Sequence, residues 1–329
     1  MDGPQPADWL TRGALGAGIA AATAAGHLGL RVAVFEPLKM IGGMGAAGNL
    51  ALNDGGNVAE KTGLALNFTL LNAQHYGLPA GQIVSHPESF VSEASFNTML
   101  ADAGVKTVKL DCRLLSATAQ KSGGVSRVGS ISVHCLPDPV TATVFIDTSY
   151  DGEIMVAVGD VEYTAGREAK STYQESYAGA RKPGWAGVGG PRHVDALRDD
   201  GSILKYVANI SQLVAEGEAD DALMAFQHRM CVSGDADRVP WPKPEGYNAA
   251  DFLLLQRALD ANHGDPSFFT RMPPSVLPGY PGTKKKYCLC CGITIYASDQ
   301  PLLNAGWANG EPRADSRPEP AETHSWLLL

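Results

Sequence analysis

Between Gly13 and Glu36 the chain reads glycine turn, helix formers, β-branched strand and terminal carboxylate, an order that few folds accommodate. Gly13-Ala14-Leu15-Gly16-Ala17-Gly18 leads into residues 19–27, a stretch of good helix formers, and then into Leu30-Arg31-Val32-Ala33-Val34-Phe35-Glu36-Pro37. The β-branched run reads as a buried strand, and Pro37 stops it. A dinucleotide site needs such a turn, because backbone N–H groups must approach a pyrophosphate, and it needs the next helix N-terminus aimed at that charge. It also needs an acidic acceptor for ribose hydroxyls at the end of the following strand, about twenty residues on, where Glu36 stands. The spacing Gly13-x-x-Gly16-x-Gly18 is not a strict G-x-G-x-x-G, since Leu15 occupies the middle glycine position. A βα turn with only a packing role would leave the same trace. The second glycine loop, Gly42-Gly43-Met44-Gly45, tips the reading towards a dinucleotide. One element is poor. Asp8-Trp9-Leu10-Thr11-Arg12 should be the first strand, yet a central parallel strand is normally a near-continuous Val/Ile/Leu run. The N-terminus is therefore expected to be degraded or replaced.

A second constellation is Val144-Phe145-Ile146-Asp147-Thr148-Ser149-Tyr150-Asp151-Gly152-Glu153. A strand ending in Asp-Thr with a glycine soon after puts a backbone turn at the carboxyl edge of the sheet, where ligands of doubly wound folds bind. On residue type alone Asp147 is better read as a helix N-cap. Between the two constellations, residues 92–103 carry apolar side chains near helical spacing and stop at Gly104. Residues 105–110 and 113–119 read as strands, and Gly123-Gly124 turns the chain into a hairpin partner at 130–136. Residues 140–146 read as a strand and 153–158 as a helix. Beyond Val161 the texture changes to Gly-, Pro- and Trp-containing stretches around two helix candidates, 203–215 and 251–262. An α/β fold follows: a Rossmann-type dinucleotide domain over residues 1–160, with an insertion at about 49–92, and a second α+β domain over 161–308. The tail 309–329, rich in Pro, Glu, Arg and Ser, is expected to be disordered.

A formal net charge of −9 argues against a binder of nucleic-acid backbones, which needs a basic face; Lys284, Lys285 and Lys286 read as a solvated loop. Of six cysteines only Cys288, Cys290 and Cys291 cluster, without the matching half that a zinc site needs, so no metal is expected and a buried strand is the better reading. At this length the core suffices without disulfides. The apolar segment 14–30 resembles a signal-peptide core, but Asp2 and Asp8 upstream fit that poorly, and no run reaches the ~18 apolar residues of a membrane span. A soluble, cytoplasmic protein with a small-molecule substrate and no membrane partner is expected.

Taken together, these segments resemble the FAD-dependent oxidoreductases, in particular the xanthan-lyase-like branch of the glutathione-reductase-like flavoproteins. The resemblance is carried by residues 13–22, Val34-Phe35-Glu36-Pro37, Ile41-Gly42-Gly43-Met44 and residues 145–153. Residues 163–168, 173–179, 226–232 and 242–247 follow in the family's order, so that it runs from about Gly13 to about Trp307. It implies FAD as cofactor, with Gly13, Gly16 and Gly18 approaching the pyrophosphate and Glu36 accepting from the adenosine ribose. Gly42, Gly43 and Met44 would line the diphosphate and ribityl region, Leu114 would meet adenine through its backbone, and Asp147 and Asp151 would lie close to the dinucleotide. The family's closing segment, which caps the isoalloxazine, is not legible before Leu329, so the chain is expected to be shortened at its C-terminus and to hold FAD weakly or not at all.

A flavin carries its own redox chemistry, leaving the protein to orient, polarise and supply a base. His228 is the candidate base and Arg229 the candidate clamp for a substrate carboxylate, with a structural histidine and a surface ion pair as the plainer alternatives. Arg167 and Glu175 read as partners of each other, and His86 with Glu88 as a cofactor-side turn or a helix cap. The leading expectation is hydride transfer from a small organic donor to FAD. A catalytically inactive homologue that binds nucleotides or partners, and an NAD-linked enzyme, are the competing ones.

Overall fold

The computed structural model describes residues 7–47, 61–159, 161–163, 165–175, 178–180, 195–205, 214–221, 227–228, 231–233, 240, 242–261, 286–288 and 295–296. The chain divides into two compact units, Met1–Glu162 with Gly279–Lys284 and Tyr163–Pro278 with Lys285–Leu329.

The first unit is built on β1 (Ala7–Arg12), α1 (Gly16–His27), β2 (Val32–Phe35), α2 (Gly63–His75), α3 (Ser89–Asp102), β3 (Thr107–Lys109), β4 (Leu114–Ser122), β5 (Val125–Val133), β6 (Ala142–Asp147) and α4 (Glu153–Val158). Four strands form a parallel sheet in the order β3-β2-β1-β6. Residues alternate between the faces of a strand, and the core divides accordingly. Trp9, Val32 and Val34 turn to one side, against Ile19 and Ala22 of α1 and Phe96, Met99 and Leu100 of α3. Leu10, Ala33 and Phe35 turn to the other, against Ile131 and Val133 of the antiparallel β4–β5 hairpin and Ile154 of α4. Each fully buried large apolar side chain contributes about 1.5–3 kcal/mol. Helix α2 packs on α3, where Phe68 stacks on Phe96 with ring centroids 4.4 Å apart and Asn72 Oδ1 accepts from Ser95 Oγ at 2.7 Å.

The strand expected to be degraded is the middle of the sheet. β1 pairs with β2 through Trp9–Val32 to Arg12–Phe35 and with β6 through Ala7–Ala142 to Arg12–Asp147. What composition withholds, specific partners restore: backbone ladders on both edges satisfy the main chain, and each charged residue has a counter-ion. Asp8 receives the backbone N–H and guanidinium of Arg31, and Arg12, 1% exposed, pairs with Glu153 and donates to the Phe35 carbonyl. Cys112, fully buried after β3, is disulfide-bonded to Cys135 at the end of the hairpin, with Cα atoms 5.1 Å apart.

In the second unit the described elements are α5 (Lys170–Tyr173), β7 (Gln227–His228), β8 (Cys231–Ser233), α6 (Leu253–Ala261), β9 (Lys286–Cys288) and β10 (Ile295–Tyr296). β7 pairs antiparallel with β10, and β8 with β9. Arg167 forks onto Asp220, Nε donating at 2.7 Å, rather than onto Glu175. The expected helix at 203–215 begins differently: Ile203 bridges Leu197 antiparallel and Leu204 N–H donates to the Ala196 carbonyl, while 206–213 fall outside the described residues. The expected helix at 251–262 is present as α6 behind a 3-10 turn, Ala249–Phe252. Cys290, Cys291 and the tail 309–329 lie outside the described residues.

Candidate functional site

The carboxyl ends of β1, β2 and β6 converge, and the three loops that leave them are tied together by hydrogen bonds. After β1 the chain turns at Gly13, whose N–H donates to the Phe35 carbonyl at 2.8 Å. One residue on, Ala14 N–H donates to Glu36 Oε2 at 2.6 Å, while Glu36 Oε1 accepts from Leu38 N–H at 2.9 Å. Glu36 is thus clasped to the glycine turn and is 1% exposed. Burial pushes its carboxyl above the usual glutamate range, opposed by the Leu38 and Ala14 amides and by the nearby Arg12 guanidinium. Both carboxylate oxygens serve the loop backbone.

The second glycine loop lies beside the first. Gly42 N–H donates to the Ala14 carbonyl at 2.6 Å, and Leu15 and Gly42 form a parallel bridge. Gly43–Gly45 then makes one 3-10 turn, and Ser89 Oγ of α3 holds its far end by donating to the Ala46 carbonyl at 2.6 Å. Met44, with its side chain exposed, donates its N–H to Tyr150 Oη at 2.6 Å. Burial raises the Tyr150 hydroxyl above its ordinary value, with the Met44 amide opposing and the Glu36 charge adding.

From the third loop Thr148 Oγ1 donates to the Gly13 carbonyl at 2.6 Å. Gly18 allows that approach, because a Cβ there would overlap the Gly13 carbonyl oxygen and stand 2.5 Å from Thr148 Oγ1. Asp147 is occupied locally: Oδ1 accepts from Ser149 N–H at 2.9 Å and from Ser149 Oγ at 2.6 Å, and Oδ2 accepts from Ile154 N–H at 2.7 Å. Through Ile154 it reaches the first turn of α4, although the N-cap position itself is held by Gly152, not by Asp147. Asp151 is exposed in the turn before Gly152. Leu114 opens β4, half-buried and packed on the hairpin side of the sheet.

The structure therefore brings Gly13, Gly16, Gly18, Glu36, Gly42, Gly43, Met44, Asp147 and Asp151 to one edge of one unit. His228 lies in β7 of the other, its side chain outside the described residues, as is all of Arg229. Sequence reasoning missed Arg12 and Tyr150. Arg12 was visible as a charge at the end of β1, where a buried guanidinium needs a counter-ion; nothing marked Tyr150 as the acceptor for Met44.

In kind, these groups suit an anionic dinucleotide. The first amides of a helix have no intrahelical acceptor and carry the positive end of its dipole. At the start of α1, Gly16 and Ala17 are exposed, and nothing lies within 4 Å of the open side of Gly16. Glu36, held to Ala14 two residues before that helix start, is the carboxylate that a ribose diol would need.

A search of curated proteins finds no match. Among solved structures, the chain is similar to THI4 of Thermovibrio ammonificans at 19% identity, covering 46% of this chain and 61% of that one with a TM-score of 0.33. It is similar to a geranylgeranyl bacteriochlorophyll reductase-like protein of Thermoplasma acidophilum at 17% identity, covering 50% and 47%, TM-score 0.34. For L-proline dehydrogenase from P. horikoshii the figures are 10% identity, 50% and 59%, TM-score 0.34. The chain thus matches less than two thirds of the length of each. The family described as FAD dependent oxidoreductase matches residues 10–286, most of the chain. The chain belongs to the FAD-dependent oxidoreductase family, with that family's Rossmann-like dinucleotide-binding fold.

Proposed function

We propose that this protein is an FAD-dependent oxidoreductase of the xanthan-lyase-like branch that takes a hydride from a small organic substrate and returns the electrons to a separate acceptor. The observation that carries this reading is Glu36 reaching the glycine turn at Ala14, beside the exposed amides of α1 and the Gly42-Gly43 loop. The Gly16 and Ala17 amides hold a diphosphate at the positive end of α1. Glu36 exchanges a backbone partner for the adenosine ribose, and Gly42, Gly43 and Met44 follow the chain of the cofactor. When bound, FAD supplies the hydride acceptor. His228 takes the proton that leaves the substrate and Arg229 fixes a substrate carboxylate, roles assigned from residue chemistry. The test is direct: the purified full chain is examined for visible flavin absorbance, for FAD released on denaturation, and for dye reduction with candidate donors. Yellow protein that reduces dye in proportion to its FAD supports the proposal. Colourless protein that fails to take up added FAD defeats it.

One observation favours a second reading, a homologue that has lost turnover: Leu15, in the middle glycine position, lies against Gly43. A folded chain that binds FAD yet reduces no dye with any donor would select it.

A further inference from the structure

The middle position of the glycine turn is where the family's motif lets backbone approach the pyrophosphate. Here it carries Leu15, and its backbone, at φ −76° and ψ 172°, suits any residue, so local conformation does not demand leucine. The side chain runs across to the second glycine loop. A Cβ on Gly43 would overlap Leu15 Cδ2 and stand 3.3 Å from Leu15 Cγ. On the same point Tyr150 Oη closes in at 2.5 Å, while it accepts the Met44 N–H at 2.6 Å. The open face of Gly43 is thus covered by an isobutyl group and a hydroxyl, and the Met44 amide is already engaged. An apolar side chain offers an anion nothing, and a diphosphate lying between the two loops needs the same space.

We infer that Leu15 and Tyr150 form a latch across the two glycine loops, which must open before a dinucleotide diphosphate can lie along Gly43. The inference rests on the flavin reading of this site and adds to it the residue that sets the affinity. The latch works by competition. A side chain that is only half-buried exchanges between staggered rotamers, so the passage opens when Leu15 swings away from Gly43. Affinity then falls by the fraction of molecules already open. Removing the side chain takes away the apolar half of the latch and leaves only the Tyr150 hydroxyl, itself a polar partner, beside Gly43; glycine at this helix N-cap costs little.

The experiment titrates the full chain with FAD and with AMP, by ligand fluorescence and calorimetry, for wild type, Leu15→Gly and Leu15→Ala, with circular dichroism as the check on folding. Leu15→Gly is expected to bind FAD about ten-fold tighter or more, as for a latch open in a tenth of molecules or fewer. Leu15→Ala should shift in the same direction by less, and AMP, which lacks the diphosphate bridge, should change by less than about two-fold. FAD affinity that is unchanged or weaker in whichever of the two variants folds overturns the latch. So does an equal gain for AMP, which would mark a general loosening of the unit. Tight FAD binding by wild type with no gain in the variants defeats the latch and leaves the flavin reading standing; no FAD uptake by any of the three proteins defeats both.

Discussion

Glu36 does two tasks that pull in opposite directions. As the clasp on Ala14 and Leu38 it must be ionised to accept both amides well, yet its burial favours the neutral acid, and burial is the larger influence. A carboxyl whose value is raised in the folded state contributes stability that is fully present below the unfolded value of about 4.3 and is lost as pH rises through the folded value. Urea titrations of wild type and Glu36→Gln across pH 4 to 8 check this. The stability of wild type relative to the variant should be greatest at the acid end and decline as pH rises, whereas a relative stability that climbs with pH would contradict the role of burial. The place of Glu36, directly after β2 and beside the glycine turn, was legible because the motif ties a carboxylate to a fixed spacing. Arg12 and Tyr150 were not, because each acts through one distant partner, Glu153 and Met44, and sequence does not record which residues a fold brings together.

Among elements, β1 carries the sharpest lesson. Its composition argued against a central strand, since Asp8, Thr11 and Arg12 interrupt the apolar run. Local propensity lost to context: two flanking ladders and two ion pairs make a polar sequence acceptable at the middle of the sheet. The alternating Val32/Val34 and Ala33/Phe35 of β2, by contrast, could be read at once, because both faces meet apolar layers. The β4–β5 hairpin was equally plain from Gly123-Gly124. Helix α4 depends on a residue outside it. Asp147 receives the Ile154 amide, and Ser149 Oγ, itself donating to Asp147, accepts the Glu153 amide. Asp147→Ala should therefore lower the unfolding free energy by about 1–2 kcal/mol, read by urea denaturation, with the far-ultraviolet spectrum otherwise native. An unchanged midpoint would show that α4 is held by the packing of Ile154 alone.

At the scale of the molecule, the first unit carries the dinucleotide architecture: a parallel sheet, α1 and α3 on one face, the β4–β5 hairpin with α4 on the other, and loops that meet at the carboxyl edge of the strands. That much follows from pattern, since glycine turn, helix and acid-ended strand leave the chain little choice. The second unit was less legible, because its Gly- and Pro-containing stretches have no sustained period and its short strands pair across long separations, β7 with β10 and β8 with β9. No helix among the described residues is long and apolar enough to cross a membrane. If one edge of one unit holds FAD, the structure of the full chain in complex with FAD will show it there. The diphosphate is expected within hydrogen-bonding distance of the Gly16 and Ala17 amides, the adenosine ribose on Glu36, and Leu15 turned away from Gly43. A flavin bound elsewhere on the chain, with Leu15 still against Gly43 and Glu36 still closed on Ala14 and Leu38, would contradict that placement.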